Sequence, residues 1–182
     1  MEANYSDGRI LIRPYAEADA GALYEAARES VAEVGLWLPW CHEGYSRRDA
    51  AAWIAECPAR WLRGEEHAFA IVEAGTGRYL GGVGLNAIHP LHRFANLGYW
   101  VRTTAAGRGT ATAAARLAAA FGFRALGLVR VEIVVAVANA ASLRVAEKTG
   151  AQREGILRRR LVCGERVDDA VLFSLIPDDL SI

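Results

Sequence analysis

Several short stretches of the chain alternate apolar and polar residues, which is the pattern of half-buried β-strands. The predicted strands cover residues 9–13, 68–73, 79–86, 94–101, 130–137, 152–161 and 166–175. Residues 130–137 are almost continuously apolar, so we expect both faces of that strand to be covered. Turns at Gly75–Gly77 and at Cys163–Gly164 join neighbouring strands into hairpins.

Four other stretches repeat their apolar residues with the helical period. They cover residues 17–31, 46–61, 109–125 and 142–150. Ser46 and Asp49 match a capping box at the start of the second helix, and Gly150 has the place of a left-handed C-cap. The order βααβββαβαββ predicts an α/β fold with one mixed sheet, forming a single domain over residues 1–182.

Composition narrows the class of protein. Hydrophobic residues make up 53% of the 182 residues, which is enough to bury a core. Lys plus Arg equals Asp plus Glu, at 21 each, so we expect neither nucleic acid nor a membrane as a partner. Three irregularly spaced cysteines predict neither a disulfide framework nor a metal site, and the polar N-terminus favours the cytoplasm. A homodimer is left open.

The loop Gly107–Arg108–Gly109 follows a predicted strand and opens a predicted helix. Free amides at a helix N-terminus, close backbone approach at glycine and the helix dipole together favour a bound phosphate. A tight turn without a ligand is the alternative. A dinucleotide fingerprint needs a third glycine where Thr112 stands, and a Walker loop needs Gly-Lys-Ser/Thr, so neither motif fits.

The segment Ala106–Ala111 resembles the GNAT acetyltransferase pattern Gln/Arg-x-x-Gly-x-Gly/Ala, with Ala106 in the place of Gln or Arg. Asn139–Gly150 matches Asn-x-x-Ser-x-x-Val/Ala-x-Glu-Lys-x-Gly, which is similar to the RimJ/RimL-type branch of that superfamily. The segments NLGYWV, RVEIVV and WLPW resemble the same branch. The resemblance covers nearly the whole chain, and the branch acetylates protein N-termini and other amines.

This resemblance implies the GNAT fold, whose central strands separate to admit the pantetheine arm of acetyl-CoA. It implies that Ser142 protonates the leaving thiolate and that Asn139 binds the pantetheine arm. A backbone amide near Trp100–Arg102 would polarise the thioester carbonyl. The implied cofactor-binding residues are Trp100, Val101, Arg102, Gly107, Arg108, Gly109, Thr110, Ala111, Asn139 and Ser142. Helix capping is the alternative role for Asn139 and Ser142.

A general base is harder to assign. Relatives often carry a glutamate where Leu161 stands here. Glu132 is a candidate base acting through water, with an ion pair as the alternative, and His89 and His92 lie in a loop where histidines are usually solvated. An α-amine, with a pKa of about 7.7–8.0, needs less help from a base than a lysine amine with a pKa of about 10.4.

We therefore expect direct transfer of an acetyl group from acetyl-CoA to an amine in a ternary complex, with a protein or peptide N-terminus as the acceptor. A small-molecule amine acetyltransferase is one alternative. A degenerate acyl-CoA-binding domain without turnover is another, and Ala106 and Leu161 favour it.

Two further groups of residues have open roles. Trp37 and Trp40 either wall the acceptor site or plug the core. Four arginines of the last predicted hairpin either meet an acidic partner, bind cofactor phosphates or remain solvated. These arginines are Arg158, Arg159, Arg160 and Arg166. An apolar loop beside a basic hairpin favours an acidic or neutral peptide start.

Overall fold

Eight β-strands and five α-helices are found in residues 4–180, which the computed structural model describes. The strands are β1 (Tyr5–Ser6), β2 (Ile10–Pro14), β3 (Glu66–Glu73), β4 (Tyr79–His89), β5 (Phe94–Val101), β6 (Arg130–Ala136), β7 (Gln152–Cys163) and β8 (Arg166–Leu175). The helices are α1 (Ala20–Glu29), α2 (Val31–Val34), α3 (Arg47–Leu62), α4 (Thr110–Leu126) and α5 (Ala140–Thr149). Short 3₁₀ turns precede α1, precede α4 and follow β8.

The strands form one mixed sheet in the order β1-β2-β3-β4-β5-β6-β8-β7. Neighbouring strands are antiparallel except β5 and β6, which run parallel. Their pairing covers Phe94–Asn96 and Arg130–Glu132, at the start of both strands. Beyond these residues β5 and β6 separate, so the sheet opens in its middle.

Helices cover both faces of the sheet. On one face, α1 and α3 bury a cluster that includes Leu23, Ile54 and Val72. On the other face, the alanine-rich side of α4 packs on β2, β4 and β5, and α5 packs against α4 and β6. Small side chains on α4 let this helix lie close to the sheet.

The predicted α/β architecture is confirmed, and the long predicted elements are present. Two short elements, β1 and α2, were not predicted because a few residues are too short to display a period. β4 and β7 extend further than their predicted ends, to His89 and Cys163. The single domain over residues 1–182 stays a prediction, since residues 1–3 and 181–182 lie outside the described part.

The residues predicted to cap the ends of helices also have the expected geometry. Ser46 and Asp49 form a complete capping box on α3, and Gly150 ends α5 in the left-handed conformation. The helix predicted over residues 17–31 begins as a 3₁₀ turn and ends at Glu29. Within residues 4–180, no helix is both long enough and apolar enough to cross a membrane.

Candidate active site

Two glycines shape the loop before α4. Gly107 and Gly109 have φ angles of 74° and 77°, in the left-handed region that glycine adopts without steric cost. A Cβ on Gly107 would meet no atom within 4 Å, and one on Gly109 would lie 3.8 Å from Nη2 of Arg9. Backbone conformation rather than crowding therefore requires these glycines, and space remains beside the loop for a ligand.

The first turn of α4 presents free amides to that space. The first intrahelical bond runs from the amide of Ala113 to the carbonyl of Gly109, at 3.0 Å. The amides of Thr110, Ala111 and Thr112 therefore lie outside the helical ladder. A helix of 17 residues has a macrodipole equivalent to about half a positive charge at this end. These features together make an anion site.

The glycine loop forms one wall of a cavity of about 1010 Å³, which we call the glycine-loop cavity. Its other walls are the open edges of β5 and β6, the side of α5, residues 36–39 and the end of β7. The cavity therefore occupies the gap where the two central strands separate. Its lining extends from the N-terminus of α4 to the separated strands.

The ladder between β4 and β5 determines which amides of β5 face this gap. The amide of Arg102 donates to the carbonyl of Leu80 at 2.8 Å, on the β4 side. Successive residues of an antiparallel strand point their amides to opposite edges. Val101 and Tyr99 therefore direct their amides toward the glycine-loop cavity. Of the three residues expected to supply a carbonyl-polarising amide, Val101 has the required direction.

Asn139 and Ser142 both line the glycine-loop cavity. Oδ1 of Asn139 accepts a hydrogen bond from the amide of Ser142 at 3.0 Å, which makes Asn139 the N-cap of α5. Capping is therefore confirmed for Asn139 and is wrong for Ser142, whose hydroxyl is not used as a cap. Among residues 4–180, Nδ2 of Asn139 has no hydrogen-bond partner, so it can donate to a ligand.

The phenol of Tyr99 holds the hydroxyl of Ser142. Its oxygen lies 3.0 Å from Oγ of Ser142, where either hydroxyl can be the donor, and 3.1 Å from the carbonyl oxygen of Ser142, which can only accept. Burial raises the pKa of Tyr99 to about 12, so the phenol stays protonated at neutral pH. The sequence pattern did not point to Tyr99, because 43 residues separate it from Ser142.

Within the described part of the chain, three cations line the glycine-loop cavity: Arg144 and Lys148 of α5, and Arg160 of β7. Arg144 and Lys148 are four residues apart and so share a side of α5. Cations beside a helix N-terminus suit a ligand with several phosphate groups. Glu33 also lines this cavity, where its carboxylate accepts from Oγ1 of Thr103 at 2.9 Å.

Two residues expected at the cofactor lie outside the lining of this cavity. Arg102 forms an ion pair with Glu29 of α1 and also donates to the carbonyl of Tyr79. The carbonyl of Arg108 accepts a hydrogen bond from Nη1 of Arg9 at 3.3 Å. The other expected residues, Trp100, Val101, Gly107, Gly109, Thr110, Ala111, Asn139 and Ser142, line it.

A second cavity of about 530 Å³ lies on the other face of the sheet, beneath α1 and α3. We call it the aromatic cavity, because six of the described residues that line it are Tyr or Trp. These residues are Tyr15, Trp40, Tyr45, Trp53, Tyr99 and Trp100. The ring centroids of Trp40 and Trp100 lie 5.2 Å apart. Leu38, Asn86 and Gly98–Trp100 line both cavities, so the cavities meet along β5.

The two tryptophans of the WLPW segment have different surroundings. Trp40 lines the aromatic cavity, whereas Trp37 lines the glycine-loop cavity. The guanidinium of Arg166 lies 4.9 Å from the ring centre of Trp37, and the carbonyl of Trp37 accepts from Sγ of Cys163 at 3.3 Å. The last hairpin therefore holds the loop that closes one side of the glycine-loop cavity.

Three ionisable side chains at the aromatic cavity could in principle accept a proton: His42, Asp49 and Glu66. Nδ1 of His42 accepts from the amide of Gly44 at 3.1 Å, so the lone pair of the neutral ring is already engaged. Hydrogen bonds from Ser46 lower the pKa of Asp49. Glu66 is paired with Arg60 at 2.8 Å. None of the three is therefore a strong, free base.

The base candidates named from the sequence lie elsewhere. Glu132 pairs with Nε of Arg130 at 2.8 Å and lies outside the lining of both cavities, so the ion-pair alternative is confirmed. His89 is the last residue of β4 and not part of the loop as expected, and its ring stacks on His92 of the following turn and on Phe94 at the start of β5. Both histidines lie outside the two linings as well.

A family model described as the acetyltransferase (GNAT) domain matches residues 9–152. The chain belongs to the GNAT family. It is 37% identical over 128 residues to "Probable N-acetyltransferase YjcK" of Bacillus subtilis, which covers 69% of this chain and 71% of that protein. It is 31% identical over 170 residues to "Putative ribosomal N-acetyltransferase YdaF" of the same organism, covering 92% and 91%. The chain is therefore an acetyltransferase.

Solved structures share this GNAT fold. RimL, a ribosomal L7/L12 alpha-N-protein acetyltransferase in complex with coenzyme A, has a TM-score of 0.87 to this chain at 21% identity, covering 98% of this chain and 99% of RimL. The separation of β5 and β6 in this chain agrees with what the resemblance to this family implied.

Proposed function

We propose that this GNAT enzyme transfers an acetyl group from acetyl-CoA to a primary amine, and that the amine is the N-terminal α-amine of a protein or peptide. The observation that carries the donor half of this proposal is the glycine loop at the N-terminus of α4, opening into the gap between β5 and β6. An uncapped helix end, two left-handed glycines and three cations suit a diphosphate with an extended arm.

Each part of acetyl-CoA has a matching group. The amides of Gly107–Thr112 would bind the pyrophosphate, and Arg144 and Lys148 would neutralise phosphate charge. Asn139 would donate to the pantetheine arm through Nδ2. The amide of Val101 would donate to the thioester carbonyl and stabilise the charge that develops there.

Acetyl-CoA supplies an activated acyl thioester. In a ternary complex, the neutral amine attacks the carbonyl carbon, an N–C bond forms and the C–S bond breaks. The proton lost by the amine goes to solvent, and Oγ of Ser142 gives its proton to the departing thiolate and regains one from solvent. Tyr99 would hold that hydroxyl in place through the contact of 3.0 Å. Orientation of both substrates supplies much of the rate.

The choice of an α-amine rests on the ionisable groups at the aromatic cavity. Without a strong base among the described residues that line it, the enzyme depends on an acceptor that is already partly neutral. An α-amine has a pKa of about 7.7–8.0 and meets this condition better than a lysine side chain. The names of YdaF and RimL, as ribosomal acetyltransferases, support the same class of acceptor.

One observation favours the alternative of a small-molecule amine: the aromatic cavity, of about 530 Å³, has the size of a small-ligand site. Thiol release from acetyl-CoA distinguishes the candidates under initial-rate conditions. N-terminal peptides, N-blocked lysine peptides and small primary amines are compared at equal concentration. We expect the N-terminal peptides to give the highest kcat/KM. A highest value for blocked lysine peptides or small amines contradicts the α-amine, and no release with any amine contradicts turnover.

A further inference from the structure

Gly98 stands in the middle of β5, at a place where the backbone does not require glycine. It pairs with Gly84 of β4 in a regular antiparallel register, and its φ angle lies outside the left-handed region. Glycine in the interior of a strand weakens the strand, because it loses more conformational freedom on folding and packs no side chain. Some other constraint therefore explains a glycine here.

Crowding explains three neighbouring glycines but not Gly98. A Cβ on Gly81 would lie 2.2 Å from the carbonyl oxygen of Trp100, and one on Gly82 would lie 2.6 Å from the hydroxyl of Tyr15. A Cβ on Gly84 would lie 3.1 Å from the carbonyl oxygen of His67. A Cβ on Gly98 would meet no protein atom within 4 Å, so its missing side chain leaves open space.

That open space is part of the aromatic cavity. Side chains alternate along β5, and Leu97 and Tyr99 pack in the core on the α4 side of the sheet. Trp100 packs with the cluster under α1 and α3, so position 98 faces the same way. Gly98 also lines both cavities. A side chain at this position would project into the junction where an amine must approach the thioester.

The lining of the aromatic cavity limits the chemistry of its occupant. Its described lining combines aromatic rings, the glycines of β4 and β5 and small or aliphatic side chains with the imidazole of His42, the amide of Asn86 and the carboxylates of Asp49 and Glu66. Neither Lys nor Arg is among the described residues that line it. Such a lining suits either an uncharged apolar group or a cation, and it disfavours a carboxylate.

We propose that Gly98 is a specificity-determining residue, which keeps the aromatic cavity open to a group of the acceptor that lies next to the reactive amine. This group is either apolar and uncharged, or cationic. For a peptide acceptor, that group is the first side chain. This inference rests on the proposed acetyl transfer and deepens it by naming the class of acceptor. Peptides that begin with a large apolar residue are then good acceptors, and peptides that begin with Asp are poor ones.

The test compares Gly98→Ala and Gly98→Val with the wild type on three tetrapeptides that begin with Ala, Leu or Asp and are otherwise identical. The matched control is Gly155→Ala in β7, because a Cβ there also meets no atom within 4 Å and Gly155 lies outside both linings. Calorimetry with coenzyme A and thermal melting check that the donor site and the fold are intact.

We expect the wild type to prefer the Leu peptide over the Asp peptide by about tenfold in kcat/KM. Gly98→Val should lower kcat/KM for the Leu peptide by about tenfold or more relative to the Ala peptide, with an intermediate effect for Gly98→Ala. Affinity for coenzyme A should change by less than about threefold, and Gly155→Ala should match the wild type.

An unchanged ratio of Leu to Ala peptides in Gly98→Val would overturn this inference while leaving acetyl transfer intact. If the wild type releases no thiol with any peptide, the proposed function fails instead. A change in tryptophan emission on addition of the Leu peptide then still reports the occupant of the cavity, because Trp40, Trp53 and Trp100 line it. An equal change in the wild type and in Gly98→Val would count against the role of Gly98.

Discussion

The hydroxyl of Ser142 contacts the phenol of Tyr99 and does not cap α5. Ser142 is the third residue of α5, and Asn139 provides the cap. Tyr99 has one phenolic proton and two acceptors in reach, Oγ and the carbonyl of Ser142. When Tyr99 donates to Oγ, the hydroxyl proton of Ser142 is directed away from the phenol and is available to a thiolate.

Ser142→Ala should therefore lower kcat by about 100-fold or more, as expected for loss of a general acid. Tyr99→Phe should lower kcat by a smaller factor, because it removes only the group that orients the hydroxyl. The double variant should be no slower than Ser142→Ala alone, since Tyr99 acts through Ser142. Steady-state kinetics measure kcat, and calorimetry measures the affinity for coenzyme A, so that the two effects are separated. Additive effects of the two changes would mean that Tyr99 acts independently.

Some residue roles could be predicted and others could not, for a physical reason. The pairing of Glu132 with Arg130 joins residues two apart on one strand, and a local pattern reveals such a contact. The contact of Tyr99 with Ser142 depends on where α5 packs against the separated strands. Sequence spacing carries no information on that packing.

At the scale of elements, α4 and its loop were predictable because glycine and helix period are local signals. The placement of α1 against that loop was not. Glu29 at the end of α1 pairs with Arg102 and accepts from the amide of Thr104 at 2.8 Å. These contacts span more than 70 residues, and they attach the helical layer to the segment that leads into the glycine loop.

Gly109→Asp tests the loop as an anion site. The change adds a Cβ at a φ of 77° and a carboxylate beside the free amides of α4. Repulsion of the pyrophosphate should weaken coenzyme A binding by at least about tenfold, which corresponds to about 1.4 kcal/mol. Calorimetry provides the measurement, and Gly109→Asn is the uncharged control of similar shape. Equal losses in both variants would indicate strain rather than charge.

Glu29→Gln tests the attachment of α1 to the loop. Hydrogen bonds from Arg102, followed by one from the amide of Thr104, lower the pKa of Glu29 to about 2. Because the pKa is depressed in the folded protein, the stabilisation is present above the ordinary value near 4.5 and is lost as the pH falls toward 2.

The Gln variant should lose about 1–3 kcal/mol of unfolding free energy at pH 7, since an Arg102 left without its charged partner is partly buried. The loss should shrink between about pH 4.5 and pH 2, where the wild type also loses its charge. Urea unfolding at several pH values measures this difference. A difference that does not vary with pH would assign the effect to packing.

At the scale of the whole molecule, the sheet divides two chemical environments. One side of β5 faces a cavity with three cations and a helix N-terminus, and the other faces an aromatic cavity with two carboxylates. The four arginines of the last hairpin favoured an acidic or neutral peptide start. In the structure, Arg166 is paired with Asp168 and Arg160 lines the glycine-loop cavity. A neutral, apolar start is compatible with both the hairpin and the aromatic cavity.

The division of roles between the two cavities also determines how the rate depends on pH. The ionisable groups of the aromatic cavity that could take a proton are engaged by Gly44, Ser46 and Arg60. The productive form of the acceptor is then the neutral amine in solution. Raising the pH deprotonates the amine, so kcat/KM should rise with a slope of one below its pKa and level off above it.

For a peptide acceptor the midpoint should lie at about pH 7.7–8.0, the pKa of an α-amine. An acceptor with a lower amine pKa should move the midpoint down by the same amount, because the titrating group belongs to the substrate. His42→Gln serves as the control and should keep the wild-type midpoint. A midpoint that stays fixed when the acceptor changes would place the titrating group on the enzyme. If His42→Gln then abolished that midpoint, His42 would be the general base, and the engagement of its Nδ1 by Gly44 would have to be released during turnover.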